Sequence, residues 1–338
     1  MKLLITGAAG FVGYHLVRSL VQREDMQVIG LDNINDYYDV KLKYDRLAEC
    51  GVNRSNIIDK VSCKSISYAN YNFYKADITD NETLNRIFEE EKIDVVIHMA
   101  AQAGVRYSIE NPHAYVLSNM VGFANMLECC RHHKIKHLIY ASSSSVYGQN
   151  DDKPFREDDN VDYPVSFYAA TKKSNELMAH TYSHLFQLPT TGVRLFTVYG
   201  PWGRPDMAPM LFVDSIRKGN NIRVFNNGDL LRDFTYVEDI AEGITLLLNH
   251  IPGVKEEHPY YQIYNIGNSA PVKLMDFIRT MEKAMGKEAI LEMLPMQPGD
   301  VTVTYADTTK LMHDTGYKPT TKLTDGIKEF VQWYNSYI

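Results

Sequence analysis

Cysteine is scarce in this chain of 338 residues: Cys50, Cys63, Cys129 and Cys130 are all there are. Their irregular spacing, with two adjacent, excludes a disulfide framework and a zinc site and reads as small thiols in a reducing compartment. Long apolar runs are missing too. The longest candidates break within about ten residues, far short of a bilayer span. The N-terminus enters a strand pattern at once, with no charged region leading into a signal-like apolar stretch. Positive charge is not in excess: 35 Lys and Arg face 42 Asp and Glu, a net charge of −7. That balance argues against a nucleic-acid or polybasic membrane surface, although backbone amides and a few Arg can still build a local phosphate site. The eleven His show no metal-ligand spacing, and there is no internal repeat. The expectation is a cytoplasmic protein with no metal, nucleic-acid or membrane partner.

What is present is ordinary for a globular protein, with 45% apolar and 23% charged residues. The length predicts about two domains. Lys2 to Thr6 is a short apolar run that ends in Gly7-Ala8-Ala9-Gly10-Phe11-Val12-Gly13. A helical pattern follows from His15 to Gln22, then a strand from Gln27 to Leu31 that ends at Asp32. Strand, glycine turn, helix and strand open a doubly wound α/β sheet.

The alternation continues with strands at Asn72–Ala76, Asp94–Met99, His137–Ser142 and Thr191–Phe196. Helices are predicted at Asn81–Glu91, Tyr115–His133 and Phe167–Phe186. Asn33 to Tyr71 reads as an insertion with a helix at Lys41–Cys50. After Gly200-Pro201 the beat loosens into helices at Met210–Lys218, Val237–Leu248, Lys273–Met285 and Thr324–Tyr337, with a strand at Tyr261–Ile266 that can rejoin the sheet. The predicted fold is therefore α/β: a parallel, Rossmann-type sheet on residues 1–196, completed by about 235–268, and a smaller C-terminal α/β domain mainly on 197–338.

Chemistry concentrates in three places. Gly7 permits a tight turn, Gly10 a close approach of pyrophosphate, and Gly13 close packing of helix on strand. The free amides and partial positive charge of the helix start suit phosphates. Asp32, 19 residues after Gly13, stands where a carboxylate accepts the adenosine ribose hydroxyls and disfavours a 2′-phosphate, so NAD is expected over NADP. Second, Tyr168 and Lys172 are spaced i, i+4 on one helix face, where an ammonium can lower a phenol pKa. Third, Ser142-Ser143-Ser144-Ser145 lies at the carboxyl end of a strand, the edge where open α/β sheets bind ligands.

Together with His98-Met99-Ala100-Ala101-Gln102, these residues resemble the extended short-chain dehydrogenase/reductase superfamily over nearly the whole chain. More narrowly, three stretches resemble bacterial UDP-glucuronate 4-epimerases. They are Leu31-Asp32-Asn33-Ile34-Asn35-Asp36-Tyr37-Tyr38, Gly104-Val105-Arg106-Tyr107-Ser108, and Thr197-Val198-Tyr199-Gly200-Pro201-Trp202-Gly203-Arg204-Pro205-Asp206-Met207.

The resemblance implies a tightly held NAD, regenerated at each turnover, and a UDP-sugar substrate inverted at C4 through a 4-keto intermediate, for surface polysaccharide synthesis. Tyr168 is then the base, Ser143 binds the same oxygen, and Lys172 holds the nicotinamide ribose and depresses the Tyr168 pKa. The cofactor would also meet Phe11, Val12, Asn33, Asp77, Ile78, Ala100, Ala101, Gln102, Asn119 and Ser142. Substrate contacts are implied for Arg106, Thr197, Val224 and Phe225 near the uracil, Arg232 on the diphosphate and Asp300 on a ribose. A homodimer through the Tyr115–His133 and Phe167–Phe186 helices is implied as well.

The C6 group sets specificity. Oxidised at C4, a glucuronate becomes a β-keto acid that loses carbon dioxide when its C5–C6 bond lies parallel to the carbonyl π orbitals, so the carboxylate must be clamped. Ser144, Ser145 and Arg204 are the candidate clamp, with a solvated cation or a diphosphate contact as the other readings of Arg204. Ser145 stands where related decarboxylases carry Glu, and no Asp-Glu acid pair of the dehydratases follows Ser143. The alternatives are a 4-epimerase of UDP-glucose or UDP-N-acetylglucosamine, or a non-catalytic NAD-binding sensor or scaffold.

Overall fold

A computed structural model describes residues 1–150, 153–254, 258–297 and 301–338. The alternating β and α segments build one eight-stranded sheet. Its strands are β1 (Lys2–Thr6), β2 (Gln27–Asp32), β3 (Ser62–Lys64), β4 (Tyr71–Lys75), β5 (Val95–His98), β6 (His137–Ser143), β7 (Thr190–Leu195) and, far along the chain, β12 (Tyr261–Ile266). The order is β12-β7-β6-β5-β1-β2-β4-β3. All pairs are parallel except β3 on β4, where the insertion supplies an antiparallel edge. β12 pairs with β7 over six residues, from Tyr261 opposite Thr190 to Ile266 opposite Leu195.

Strand alternation sends side chains into two cores. Leu3, Ile5, Val95 and Ile97 pack on one face, and Leu4, Val96, Leu138 and Tyr140 on the other. The first face is covered by α1 (Phe11–Leu20), part of α2 (Val40–Glu49) and, from the second half of the chain, α9 (Val237–Leu246). The second is covered by α3 (Asn81–Glu91), α6 (Gly122–His132) and α7 (Phe167–Phe186). Burial on both faces explains the unbroken apolar runs of these strands.

Two helix starts differ from expectation. α1 begins at Phe11, not His15, because the extended backbone of Gly10 already serves as its N-cap. The helix read from Tyr115 is preceded by α4 (Tyr107–Glu110) and starts as α5 (Pro112–Tyr115), where the Asn111 side chain accepts from the Ala114 amide. It runs through a π-turn at Val116–Val121 into α6. Wide turns of this kind often mark functional sites, and this one carries Asn119.

The remaining elements form a second layer beyond the carboxyl ends of the strands. β8 (Thr197–Tyr199) pairs with β11 (Phe234–Tyr236), β9 (Asn221–Val224) with β14 (Ile290–Met293), and β10 (Leu231–Arg232) with β13 (Val272–Lys273). α8 (Ala208–Lys218), α10 (Leu274–Met285) and α12 (Leu323–Tyr337) enclose a separate core around Ile216, Ile222, Phe277 and Phe330. α11 (Thr309–Thr315) packs beside β12. These short strands carry little period-two signal, so most were not expected. Among the described residues no helix is long and apolar enough to cross a membrane.

Candidate active site

The sheet reverses its winding between β1 and β5, and the cleft opens there. Gly7 has φ +70°, and a Cβ on it would lie 2.9 Å from the Ala100 amide nitrogen. A Cβ on Gly13 would meet the Gly7 carbonyl at 2.1 Å. Only glycine lets turn, helix and neighbouring strand come this close. Gly10 gives α1 no side-chain cap, leaving its first amides to a ligand. This bare turn fits a dinucleotide pyrophosphate, and Gly7, Gly10, Phe11, Val12 and Gly13 line it.

At the end of β2, Asp32 is buried and accepts from the Ala9 amide at 3.2 Å and the Ile34 amide at 2.8 Å. Asn33 lines the same wall and donates to Asp77 at 2.7 Å. Burial disfavours the Asp77 carboxylate, but bonds from Asn33 and Thr79 hold its pKa below the usual range. Ala76 and Ile78 face the cleft, whereas Asp77 is not part of its lining. Sequence reasoning missed Lys43. Its ammonium reaches to 3.9 Å from Asp32 and donates to Asn35, and nothing in its helical pattern distinguishes it.

Ala100, Ala101 and Gln102 form the opposite wall. Asn119 does not line it. Its amide group accepts from Gln102 N at 2.8 Å and donates to Gln102 O and Thr171 Oγ at 3.0 Å, so it braces the wall from behind. Ser142 faces the cleft, yet its hydroxyl turns away to donate to Glu176 at 2.6 Å. That carboxylate is shared with Arg194 in a buried ion pair with contacts of 2.9 Å.

Ser166 caps α7 by accepting from the Ala169 amide at 3.1 Å, which places Tyr168 in the first turn and Lys172 one turn later. The Ser143 hydroxyl lies on the same wall of the cleft as the Tyr168 phenol and acts on its pKa. Ser145 donates its hydroxyl to Ser143 at 2.9 Å and its amide at 3.2 Å. Burial raises the Tyr168 pKa; the Ser143 hydroxyl and the Arg204 charge oppose it. Lys172 stands one turn along α7 from Tyr168. Its ammonium donates to Ala141 O at 2.8 Å, and burial lowers its own pKa to about 8 against the pull of Glu176.

Arg204 lines the same cleft on the loop after β8. It grips Asp206 through Nε at 3.0 Å and Nη2 at 2.7 Å, and the Tyr37 hydroxyl donates to Asp206 at 3.0 Å. Tyr37, from the insertion, thus closes the cleft over to the second layer, a role sequence reasoning did not assign. Ser144 and Ser145 face the same space.

An adjoining cavity is lined by Arg106, Thr197, Phe225 and Arg232. The Arg106 guanidinium lies 5.0 Å over the Phe225 ring, and Arg232 and Thr197 border both spaces. Val224 does not reach this cavity: it is fully buried in the second core at the end of β9. Asp300 lies outside the described residues.

A cleft with a bare glycine turn at one end, arginines at the other and Ser143 and Tyr168 between fits a dehydrogenase-type epimerase or dehydratase. The chain belongs to the NAD dependent epimerase/dehydratase family, whose model matches residues 3–267. It is 51% identical to Protein CapI of Staphylococcus aureus, covering 100% of this chain and 99% of that protein. With a probable UDP-glucuronate 4-epimerase of Rhizobium meliloti it shares 46% identity over 99% of this chain and 97% of the other. A crystal structure of UDP-glucuronic acid 4-epimerase from Bacillus cereus, in complex with UDP-glucuronic acid and NAD, superposes with a TM-score of 0.88 at 32% identity, with both chains fully covered.

Proposed function

We propose that this chain is an isomerase that interconverts UDP-glucuronate and UDP-galacturonate, with NAD as its resident cofactor. The observation that carries this is the convergence of Ser143, Tyr168 and Arg204 on one cleft beside a bare glycine turn. The likeness to UDP-glucuronate 4-epimerases over the full chain supports the substrate.

NAD supplies a reversible hydride acceptor at C4. Tyr168, as phenolate, takes the proton of the sugar 4-hydroxyl and returns it after the ring has turned over. Ser143 donates to the same oxygen and passes the proton along. Lys172 lies below, one turn along α7, in position for the nicotinamide ribose. Arg204 serves twice: its charge favours the phenolate, and the guanidinium N–H groups that Asp206 leaves free can donate to the C6 carboxylate. Ser144 and Ser145 add hydroxyl donors to the carboxylate, and neither position carries an acid that could protonate a leaving group. Arg106, Phe225, Thr197 and Arg232 take the uridine diphosphate, so NAD rests on residues 1–196 and the sugar nucleotide mainly on 197–338.

We assign the enzyme to surface polysaccharide synthesis, which the likeness to CapI supports, and to the cytoplasm, which the four free cysteines support. A homodimer is part of the proposal: Val116, Leu117 and Val121 on the π-turn and Leu177 and Leu185 on α7 are apolar and exposed.

The test is a proton NMR time course with UDP-glucuronate and no added cofactor, beside UDP-glucose and UDP-N-acetylglucosamine. UDP-galacturonate forming in the first tube alone is the expected result. Conversion of only a neutral sugar removes Arg204 from the carboxylate, and formation of UDP-xylose means the keto acid is not protected.

A further inference from the structure

Three consecutive carbonyls precede Arg204, and all three are held by the cofactor half of the molecule. Pro201 O accepts from His15 Nε2 at 2.9 Å. Trp202 O and Gly203 O accept from Arg46 Nη2 at 2.6 and 3.4 Å. The backbone is bent to present them. Gly200 has φ +141° and Trp202 φ +62°, a region unfavourable for a bulky residue. The Trp202 ring is locked between Tyr14 at 5.5 Å and Trp333 at 5.3 Å.

Arg46 holds more than this loop. Its Nη1 donates to the carbonyl of Ala9, inside the glycine turn, at 2.8 Å and to the Tyr38 hydroxyl at 2.8 Å. The side chain is fully buried, and the four acceptors are three carbonyls and a phenol, all neutral. A buried guanidinium without a carboxylate gains little from pairing; its five donors in a rigid fork are suited to fixing several carbonyls at once. His15 is neutral in this setting, because burial takes its pKa down to about 4, so it contributes a directional bond and no charge.

We infer that Arg46 and His15 are positioning residues that register the Arg204 loop against the dinucleotide turn, and so decide whether the 4-keto acid is reduced or loses its carboxylate. This rests on the reading of Arg204 as the carboxylate contact. In the loss, the C5–C6 bond breaks and carbon dioxide departs. The bonding pair becomes the enolate of C4 and C5, C5 takes a proton from water, and the cofactor stays reduced beside a UDP-4-keto-pentose. An orientation error of about 1 Å is enough to change rates by ~100-fold, so a slack loop is read directly in product partition.

The experiment compares wild type, Arg46→Lys, His15→Phe and Arg204→Met with UDP-glucuronate. It measures UDP-galacturonate and UDP-4-keto-pentose by NMR and reduced cofactor by its absorbance. Partition is a ratio within turnovers, so a smaller folded fraction does not move it; the milder His15→Phe covers the case in which the Arg46 variant folds poorly. The expected result is a roughly tenfold or greater rise in the keto-pentose share for Arg46→Lys, a smaller rise for His15→Phe, and the largest for Arg204→Met. A rise with Arg204→Met but wild-type partition in both other variants overturns the inference and leaves the carboxylate reading standing. Unchanged partition in all three removes both. Loss of NAD from Arg46→Lys without altered partition assigns Arg46 to the turn alone and also overturns it.

Discussion

The Lys172 ammonium donates to the carbonyl oxygen of Ala141 at 2.8 Å, across the gap between α7 and β6. That bond ties the helix carrying Tyr168 to the strand that ends in Ser143. The i, i+4 spacing thus fixes Tyr168 in place beside Ser143, and the Arg204 charge favours its phenolate.

Replacing Tyr168 with Phe removes the proton acceptor and leaves the fold intact. Epimerisation is expected to fall by about 10²–10⁴-fold, measured by NMR with UDP-glucuronate. Near-normal turnover would mean that another group is the base.

Arg204→Met removes a cation that lowers the Tyr168 pKa. The phenol pKa rises, the phenolate forms at higher pH, and the acid limb of kcat/KM moves in the alkaline direction. A pH–rate profile checks this; an unmoved limb would separate Arg204 from Tyr168.

Glu176→Gln leaves the buried Arg194 guanidinium without its carboxylate. Breaking one side of such a pair costs about 3–5 kcal/mol, seen as a lower urea midpoint. The same change removes the carboxylate that raises the Lys172 pKa, so that pKa falls below about 8. A midpoint within error of wild type contradicts the stability assignment.

Burial lowers the pKa of His15 to about 4 and of His98 and His137 to about 3. The unfolded chain binds these protons below pH ~6.5 and the folded chain does not, so stability is present above that pH and is lost as the solution is acidified. The slope approaches roughly 1.4 kcal/mol per pH unit for each histidine between pH ~6 and ~4. Urea titrations at pH 7 and pH 5 test it, and equal midpoints would refute it.

Leu117→Arg combined with Leu177→Arg places charge on the two exposed apolar faces. Sedimentation is expected to show a dimer for wild type and a monomer for the variant, with its fold retained. A wild-type monomer ends the dimer proposal.

Much of the site was legible because its signals are local. The turn from Gly7 to Gly13, Asp32 at the end of a strand, and Tyr168 with Lys172 on one helix face are all contained within short stretches whose backbone geometry follows from residue type. Strand period and buried apolar runs likewise marked the parallel sheet. The readings that changed concern side chains whose direction is set by distant partners. Asn119 turns to Gln102 and Thr171, Ser142 to Glu176, and Val224 into a core built from α8, α10 and α12.

The sequence by itself determined the parallel sheet and its glycine turn, because periodicity, glycine turns and helix spacing act over a few residues. Tertiary structure decided that the Arg204 charge reaches Tyr168, that Tyr37 meets Asp206 169 positions away, and that Arg46 joins Ala9 to Trp202. Such contacts follow from how two layers close on one another. Burial then sets the electrostatics: it pushes the Tyr168 pKa up and the Lys172 pKa down.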